Sequence, residues 1–456
     1  MGVRNENSHR YAAATAGHGA ARTVVFAALS AWSVIGFAPV SAFAEQDPIA
    51  TERSLLDVIQ AGRVQEREAE GGRAPGAEEE EEGQAGPQGK GGGEQPKKSW
   101  AILPEIGLSP EKGANGGIKF KDRDITPLRL TLDLGASAAE KGQYHLDTIL
   151  ISPSFGTDWL MLLAEGEFYT DPTKEFFGLG NNVVGPDELS TNRHERLYGT
   201  LALGLRLSNR FALVASGAYN EVAIRRGHLD KRDVPSTVDV FPNLSGIRGG
   251  RSNPVSFSVL FNDRQDVARP TRGWSIIAKA SWIPRGLGND FEYARYNLDG
   301  SYLYPLIWRR QVIGLHIGGQ YLDAKARRVP FYELASLGGS RDLRGFFQDR
   351  FLGTSNVVTN LEYRLKLLDF NFFEIWRVQI DGVAFGDAGR VFIDEEDIAR
   401  ELGEPLATVP RTDNDFRYSY GGGTRIALGE ALVARIDVGF SDEEKGLVYL
   451  VFGHTF

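Results

Sequence analysis

The side chains able to do chemistry in this sequence are charged pairs, not nucleophiles. The chain contains no Cys, which removes thiolate catalysis, thiolate metal sites and disulfide frameworks. No G-x-S-x-G, H-E-x-x-H or P-loop pattern occurs. The seven His residues, at 9, 18, 145, 194, 228, 316 and 454, are scattered. Glu165 and Glu167 lie on one strand face as alternate residues, but no Ser or His partner stands at a convincing position. The reading is therefore no enzyme, no cofactor and no metal. A better physical case exists for Arg344 with Glu362 and Asp387. A guanidinium fork can bridge two carboxylates through charge-assisted hydrogen bonds. An unpaired charge taken out of water is costly. Spacing alone leaves a solvated Arg and two unrelated acids equally open.

The elements that would position these residues are strands. From 101 onward apolar residues recur with period 2. In 128–134 the leucines face one way and Arg129, Thr131 and Asp133 the other. Leu432, Ala434, Ile436, Val438 and Phe440 alternate with Val433, Arg435, Asp437 and Gly439. Sixteen candidate strands follow: 102–109, 115–123, 128–138, 143–152, 158–169, 194–207, 211–223, 255–262, 273–283, 292–304, 311–323, 357–367, 376–387, 415–428, 431–440 and 447–456. Many have the ~9–11 residues that a tilted strand needs to cross a bilayer.

The connections sort by parity. Short ones (124–127, 153–157, 208–210, 305–310, 429–430) follow even-numbered strands, and the long ones (170–193, 224–254, 324–356, 388–414) follow odd-numbered strands. A soluble sandwich has no reason to sort its loops this way. A membrane barrel does, with short periplasmic turns and long outer loops. Lipid cannot satisfy backbone hydrogen bonds, so a sheet within it must close. The expected fold is all-β, a 16-stranded antiparallel transmembrane β-barrel over residues 101–456.

The rest of the chain fits export. Residues 1–44 read as a signal peptide: arginines precede the apolar run Thr23–Ala44, which ends in Ala42-Phe43-Ala44. A membrane anchor is the alternative reading. Residues 45–100 read as a disordered acidic Gly/Glu-rich periplasmic segment, with at most one short helix over 54–65. The net charge of -9 is partly this tail and gives no reason to expect nucleic acid. Mean hydropathy of -0.26 excludes a helical membrane protein. The 54 Gly and the aromatic content fit a β protein.

Four passages together resemble the bacterial surface antigen family, the BamA/TamA-like outer-membrane barrels. Gly338-Gly-Ser-Arg-Asp-Leu-Arg-Gly-Phe346 is similar to the family's (V/I)RG(F/Y) motif and falls in the sixth outer loop. Phe385, Asp387 and Gly389 match its F-x-D-x-G segment, and Asn360-Leu-Glu-Tyr-Arg364 its strand with an inward Glu. Asp263, Asp266, Pro270, Thr271 and Gly273 match its periplasmic turn between the eighth and ninth strands. Phe176–Asn181 adds a weaker match.

The resemblance implies that the sixth loop folds inward. Arg344 then locks to Glu362 and Asp387, Gly345 lets the backbone turn and Phe346 packs on the wall. It also implies a weak seam between the first and last strands. Pro104, Gly107 and Gly453 would loosen that seam, or they are ordinary strand-end residues. The terminal Phe456 resembles the signal by which such barrels are recognised for assembly. Implied partners are outer-membrane lipids, client outer-membrane proteins or a periplasmic partner, and the cell's barrel assembly machinery that inserts the chain. Residues 45–100 are too few and too polar for the family's usual POTRA modules. The implied role is outer-membrane protein or lipid assembly in a Gram-negative bacterium, with a passive pore or structural barrel as the alternative.

Overall fold

The computed structural model describes residues 47–57, 59, 100–122, 125, 130–181, 189–227, 234–265, 270–306, 310–324, 328–372, 376–403, 405–406, 415–428 and 432–452. The expected signal peptide, most of 45–100, and Asp266, Gly453 and Phe456 lie outside these residues.

Sixteen strands form the wall: β1 (Trp100–Ser109), β2 (Gly113–Asp122), β3 (Thr131–Ala139), β4 (Tyr144–Ser152), β5 (Leu160–Phe176), β6 (Ser190–Arg206), β7 (Phe211–Arg226), β8 (Val255–Asn262), β9 (Gly273–Ile283), β10 (Tyr293–Pro305), β11 (Gln311–Asp323), β12 (Ser355–Phe372), β13 (Trp376–Phe392), β14 (Arg417–Leu428), β15 (Leu432–Phe440) and β16 (Leu447–Phe452). Each pairs antiparallel with its chain neighbour, and β1 meets β16 to close the ring. A three-residue strand, Gly249–Arg251, extends the sheet beside β7. The expected bounds of β8, β9 and β11 coincide with those observed. β5 and β13 run longer than expected at their long-loop ends, and β12 runs longer mainly at its short-turn end, where it adds Leu368–Phe372.

Alternation sets the two faces. Leu201, Leu203, Leu298, Leu361 and Tyr363 are exposed on the outer face, where lipid would cover them. Asp133, Glu362, Arg364, Arg435 and Asp437 are buried on the inner face. The described residues of the turn after β8 make the following contacts. Asp263 N–H donates to the Trp274 carbonyl at 2.8 Å, and the Asp263 carboxylate lies 3.0 Å from Arg210 Nε. Gly273 adopts φ +117, and a Cβ there would stand 2.5 Å from the Asp263 carbonyl oxygen. Pro270 is buried and Thr271 exposed at the same turn.

One expectation is corrected. Residues 45–100 were expected to be disordered, yet 50–57 are helical and packed inside the barrel. The lumen wall at the periplasmic end is apolar: Met161, Leu163, Ala202, Ala212, Val214, Leu260 and Ile277 form one cluster with Ile49, Leu55, Leu56 and Ile59. Leu55 is 0% and Ile59 1% exposed. Barrel interiors are ordinarily polar, so this patch needs a cover. Fully burying each Leu or Ile stabilises by about 1.5–3 kcal/mol. Averaged over the Glu- and Gly-rich stretch that follows, this short apolar helix left no trace in composition.

Replacing Leu55 and Leu56 together by Asp puts two charges against the apolar wall. The barrel is expected to fold, but trypsin should then cut after Arg53 in the folded protein, where the wild type is protected. Unchanged protection in the double variant would show that the helix is not held by this face.

Candidate functional site

The luminal charges gather where the segment 335–353 meets the inner face of β12–β15. Inside this segment Ala335–Leu337 pairs with Phe351–Gly353 as a short hairpin. Between its arms lies Arg344, which is 0% exposed. Its Nε and Nη2 donate to the two oxygens of Asp387 at 3.0 and 2.5 Å, a bidentate fork, and its Nη1 donates to Glu362 at 2.5 Å. Its backbone N–H also reaches Asp387, at 3.2 Å. The guanidinium lies over the Phe385 ring, 3.5 Å from its centroid. Burial opposes the charge of Arg344, but Asp387 and Glu362 outweigh it and hold the proton more firmly than usual.

Strand geometry explains why these groups converge. Glu362 on β12 and Asp387 on β13 both point inward, as do their neighbours Asn360 and Phe385. Asp387 also accepts from Ser419 Oγ at 3.0 Å and Asn360 Nδ2 at 2.9 Å. Glu362 accepts from Arg364 at 2.8 Å and Arg425 at 3.1 Å. Arg425 donates onward to Asp437 at 2.5 Å, and Arg435 lies 3.3 Å from the same carboxylate. Four guanidiniums thus share three carboxylates.

Two small residues permit the approach. Arg344 and Gly345 run against β15 so closely that a Cβ on Gly439 would lie 2.0 Å from the Arg344 carbonyl oxygen, and one on Gly345 would lie 2.5 Å from that of Phe440. Gly345 is absent from the positive-φ glycines. As expected, the backbone turns here, with Phe346 N–H donating to the Leu343 carbonyl at 3.0 Å, and Gly345 also permits the close packing on Phe440. Phe346 is buried with Leu337, Leu343, Phe351, Val358 and Val391, and Gly389 lies beneath Leu337 and Leu343.

The network extends to the luminal helix. Asn360 Oδ1 faces His316 Nδ1 at 2.8 Å, and His316 Nε2 faces Asp299 at 2.8 Å. Asp299 accepts from Arg53 of the helix at 2.7 Å. The helix is tied a second time through Asp47, which accepts from Arg341 at 2.7 Å, and a third through Glu52, which accepts from Lys279 at 2.9 Å and Ser258 at 2.8 Å. Glu165 accepts from Thr51 of the helix at 3.2 Å, while Glu167 lies 3.7 Å from both His145 and Arg196.

Sequence reasoning gave Arg364, Arg425, Arg435, Asp437 and Asn360 no place in the Arg344 site and did not reach the helix contacts. The first four were findable, since each occupies an inward position on an alternating strand. The helix had a fainter signal. Leu160-Met-Leu-Leu-Ala164 and Phe211-Ala-Leu-Val-Ala215 are apolar on both faces, which a water-filled lumen would not require.

At the closure of the wall, β1 and β16 share one register pair among the described residues, Leu108 with Leu450, whereas β1 makes ten such pairs with β2. Pro104 and Gly107 both lie in β1, opposite Ile118 and Asn115 of β2. The segment carrying Arg344 touches both sides of this junction. Gln348 N–H donates to Glu111 at 2.9 Å beside β1, and Tyr449 of β16 donates to the Phe346 carbonyl at 3.1 Å.

A closed antiparallel wall with an apolar outer face and an ionic interior defines an outer-membrane β-barrel. The chain belongs to the Omp85 superfamily, whose domain model matches residues 107–456. Among solved structures it resembles BamA from Haemophilus ducreyi lacking POTRA domains 1-3, at 16% identity and TM-score 0.57, over 78% of this chain and 70% of that one. It also resembles CdiB from Escherichia coli, at 11% identity and TM-score 0.51, over 77% of this chain and 62% of that one. At these identities the likeness concerns the fold. No curated protein sequence matches the chain.

Arg344→Ala takes the guanidinium from Asp387, leaving it Ser419 and Asn360, while Glu362 keeps Arg364 and Arg425; breaking a buried pair in this way costs about 3–5 kcal/mol. The expected result is loss of the compact, heat-modifiable band on unboiled gels, with residues 335–353 open to protease. Arg344→Lys keeps the charge but not the fork and should fall between the two. An Arg344→Ala barrel with wild-type migration and protection would rule out a positioning role for this residue.

Proposed function

We propose that this barrel assists the assembly of proteins or lipids in the outer membrane of a Gram-negative bacterium, and that it works through the β1–β16 seam. The sixth outer loop, folded into the lumen, is held there by Arg344 on Glu362 and Asp387 and supports the seam from within. The observation that carries this reading is the β1–β16 ladder, which among the described residues has one register pair, Leu108 with Leu450. A ladder this short among those residues would leave backbone donors and acceptors able to exchange partners with an incoming strand, as any unpaired sheet edge can. Elsewhere the wall is committed to long ladders, such as the fifteen pairs between β6 and β7. A periplasmic partner would deliver the client, and the cell's barrel assembly machinery would insert this chain itself.

A passive pore is the less favoured reading. The lumen holds a helix packed on an apolar wall and a loop anchored by buried ion pairs. Both would have to move before a wide aqueous path opened.

Leu108→Cys with Leu450→Cys places two thiols at register partners, within reach of a disulfide. In cells depleted of the wild-type protein, the oxidised double variant should fail to restore the outer-membrane protein or lipid census, and reduction should recover it. Full complementation by the cross-linked form would exclude lateral opening.

A further inference from the structure

The outer face of β6 and β7 changes character at one level. Leu205, Leu203, Leu201 and Leu197 face outward and exposed on β6, and Tyr219 does so on β7. The next outward residues towards the long-loop end are charged: Glu195 and Arg193 on β6, Glu221 and Arg225 on β7. The register sets Arg193 opposite Arg225 and Glu221 opposite Arg251 of the short strand. Arg193 Nη2 lies 2.7 Å and Arg225 Nη2 3.4 Å from the same carboxylate, Glu195. The Tyr219 hydroxyl donates to Glu221. The side chains of Arg193 and Arg225 remain 46% and 66% exposed.

Like charges directly opposite each other across an antiparallel pair repel. Here two opposed guanidiniums share one carboxylate, and with Arg251 and Glu221 three cations meet two anions on one patch. The nine-residue column from Leu197 to Leu205 rises about 20 Å along the membrane normal at ~3.3 Å per residue and ~40° tilt, close to the ~25 Å height of a barrel's apolar band. Arg193 and Arg225 therefore stand just beyond the hydrocarbon, where phosphorylated headgroups lie and where an outward Arg is tolerated.

We propose that this patch binds the phosphate groups of an outer-leaflet lipid. The guanidinium forks of Arg193 and Arg225 grip the phosphate, with Arg251 four residues below on the same face, opposite Glu221. The acyl chains lie on the leucine column below. That column commits the site to a lipid and not to a soluble phosphate, because phosphate alone would leave it uncovered. Glu195 and Glu221 hold the arginines in place between ligands. This site lies on the outer surface and is independent of the seam.

The test is native mass spectrometry of the full chain in detergent, titrated with a bisphosphorylated lipid A, its dephosphorylated counterpart and inorganic phosphate. The wild type should retain the bisphosphorylated lipid at least tenfold more tightly than the dephosphorylated one, and millimolar phosphate should not displace it. Arg193→Gln with Arg225→Gln should weaken retention by more than tenfold, at about fivefold per arginine near an anionic surface, with heat-modifiable migration unchanged. The single variant Arg225→Gln should lose about fivefold, which keeps the test open should the double variant misfold. Equal retention by wild type and variants, or displacement by inorganic phosphate, would overturn the proposal.

Discussion

The interior of this barrel is organised by a shortage of carboxylates. Glu362, Asp387 and Asp437 serve Arg344, Arg364, Arg425 and Arg435, all buried. In such a medium an uncompensated ion costs several kcal/mol; Glu362 and Asp437 each have more than one arginine, whereas Asp387 is held by the Arg344 fork. Arg344 is the only one of the four guanidiniums that comes from a loop and not from a strand. It is therefore the member through which the wall dictates where the loop must lie. The wall supplies rigid, inward-facing acids on β12 and β13, and the loop contributes the cation that completes them.

Two further contacts depend on that placement. With Arg344 seated, Arg341 of the same loop meets Asp47 ahead of the luminal helix, while Phe346 and Gln348 meet the two sides of the β1–β16 closure. On the wall side, Asn360 bonds Asp387 and His316, and His316 bonds Asp299, the partner of Arg53. Both His316 nitrogens face acceptor oxygens, an arrangement that a doubly protonated ring satisfies. Loop and helix are thus joined once directly and once through the strands. The apolar wall beneath the helix adds a non-ionic reason for it to stay.

Much of this was legible in the sequence, for identifiable reasons. Period-2 alternation reports which face of a strand meets lipid, and it placed Glu362 and Asp437 inward because Leu361, Tyr363, Ile436 and Val438 had to point out. Strand ends were less legible. β5 and β13 continue past the alternating stretch at their long-loop ends and β12 mainly at its short-turn end, which alternation alone did not report. Arg344 with Glu362 and Asp387 was reached through motif resemblance, since spacing alone cannot say that a loop residue meets two strands. The turn at Gly345 was expected, but its close approach to Phe440 was not, because that is a tertiary fact. A short helix was allowed over 54–65, but its earlier start at 50 and its packing inside the barrel were not foreseen, because its few buried side chains are diluted by a long polar sequence. The doubly apolar starts of β5 and β7 were its only mark on the wall.

The central claim is that the lumen is closed by a loop and a helix tied to one ionic network. Conductance of the reconstituted full-length chain in a planar bilayer tests it most directly. The account predicts a barrel that is closed for most of the record, with small, infrequent openings. A wide, steady channel from the wild-type protein would contradict it.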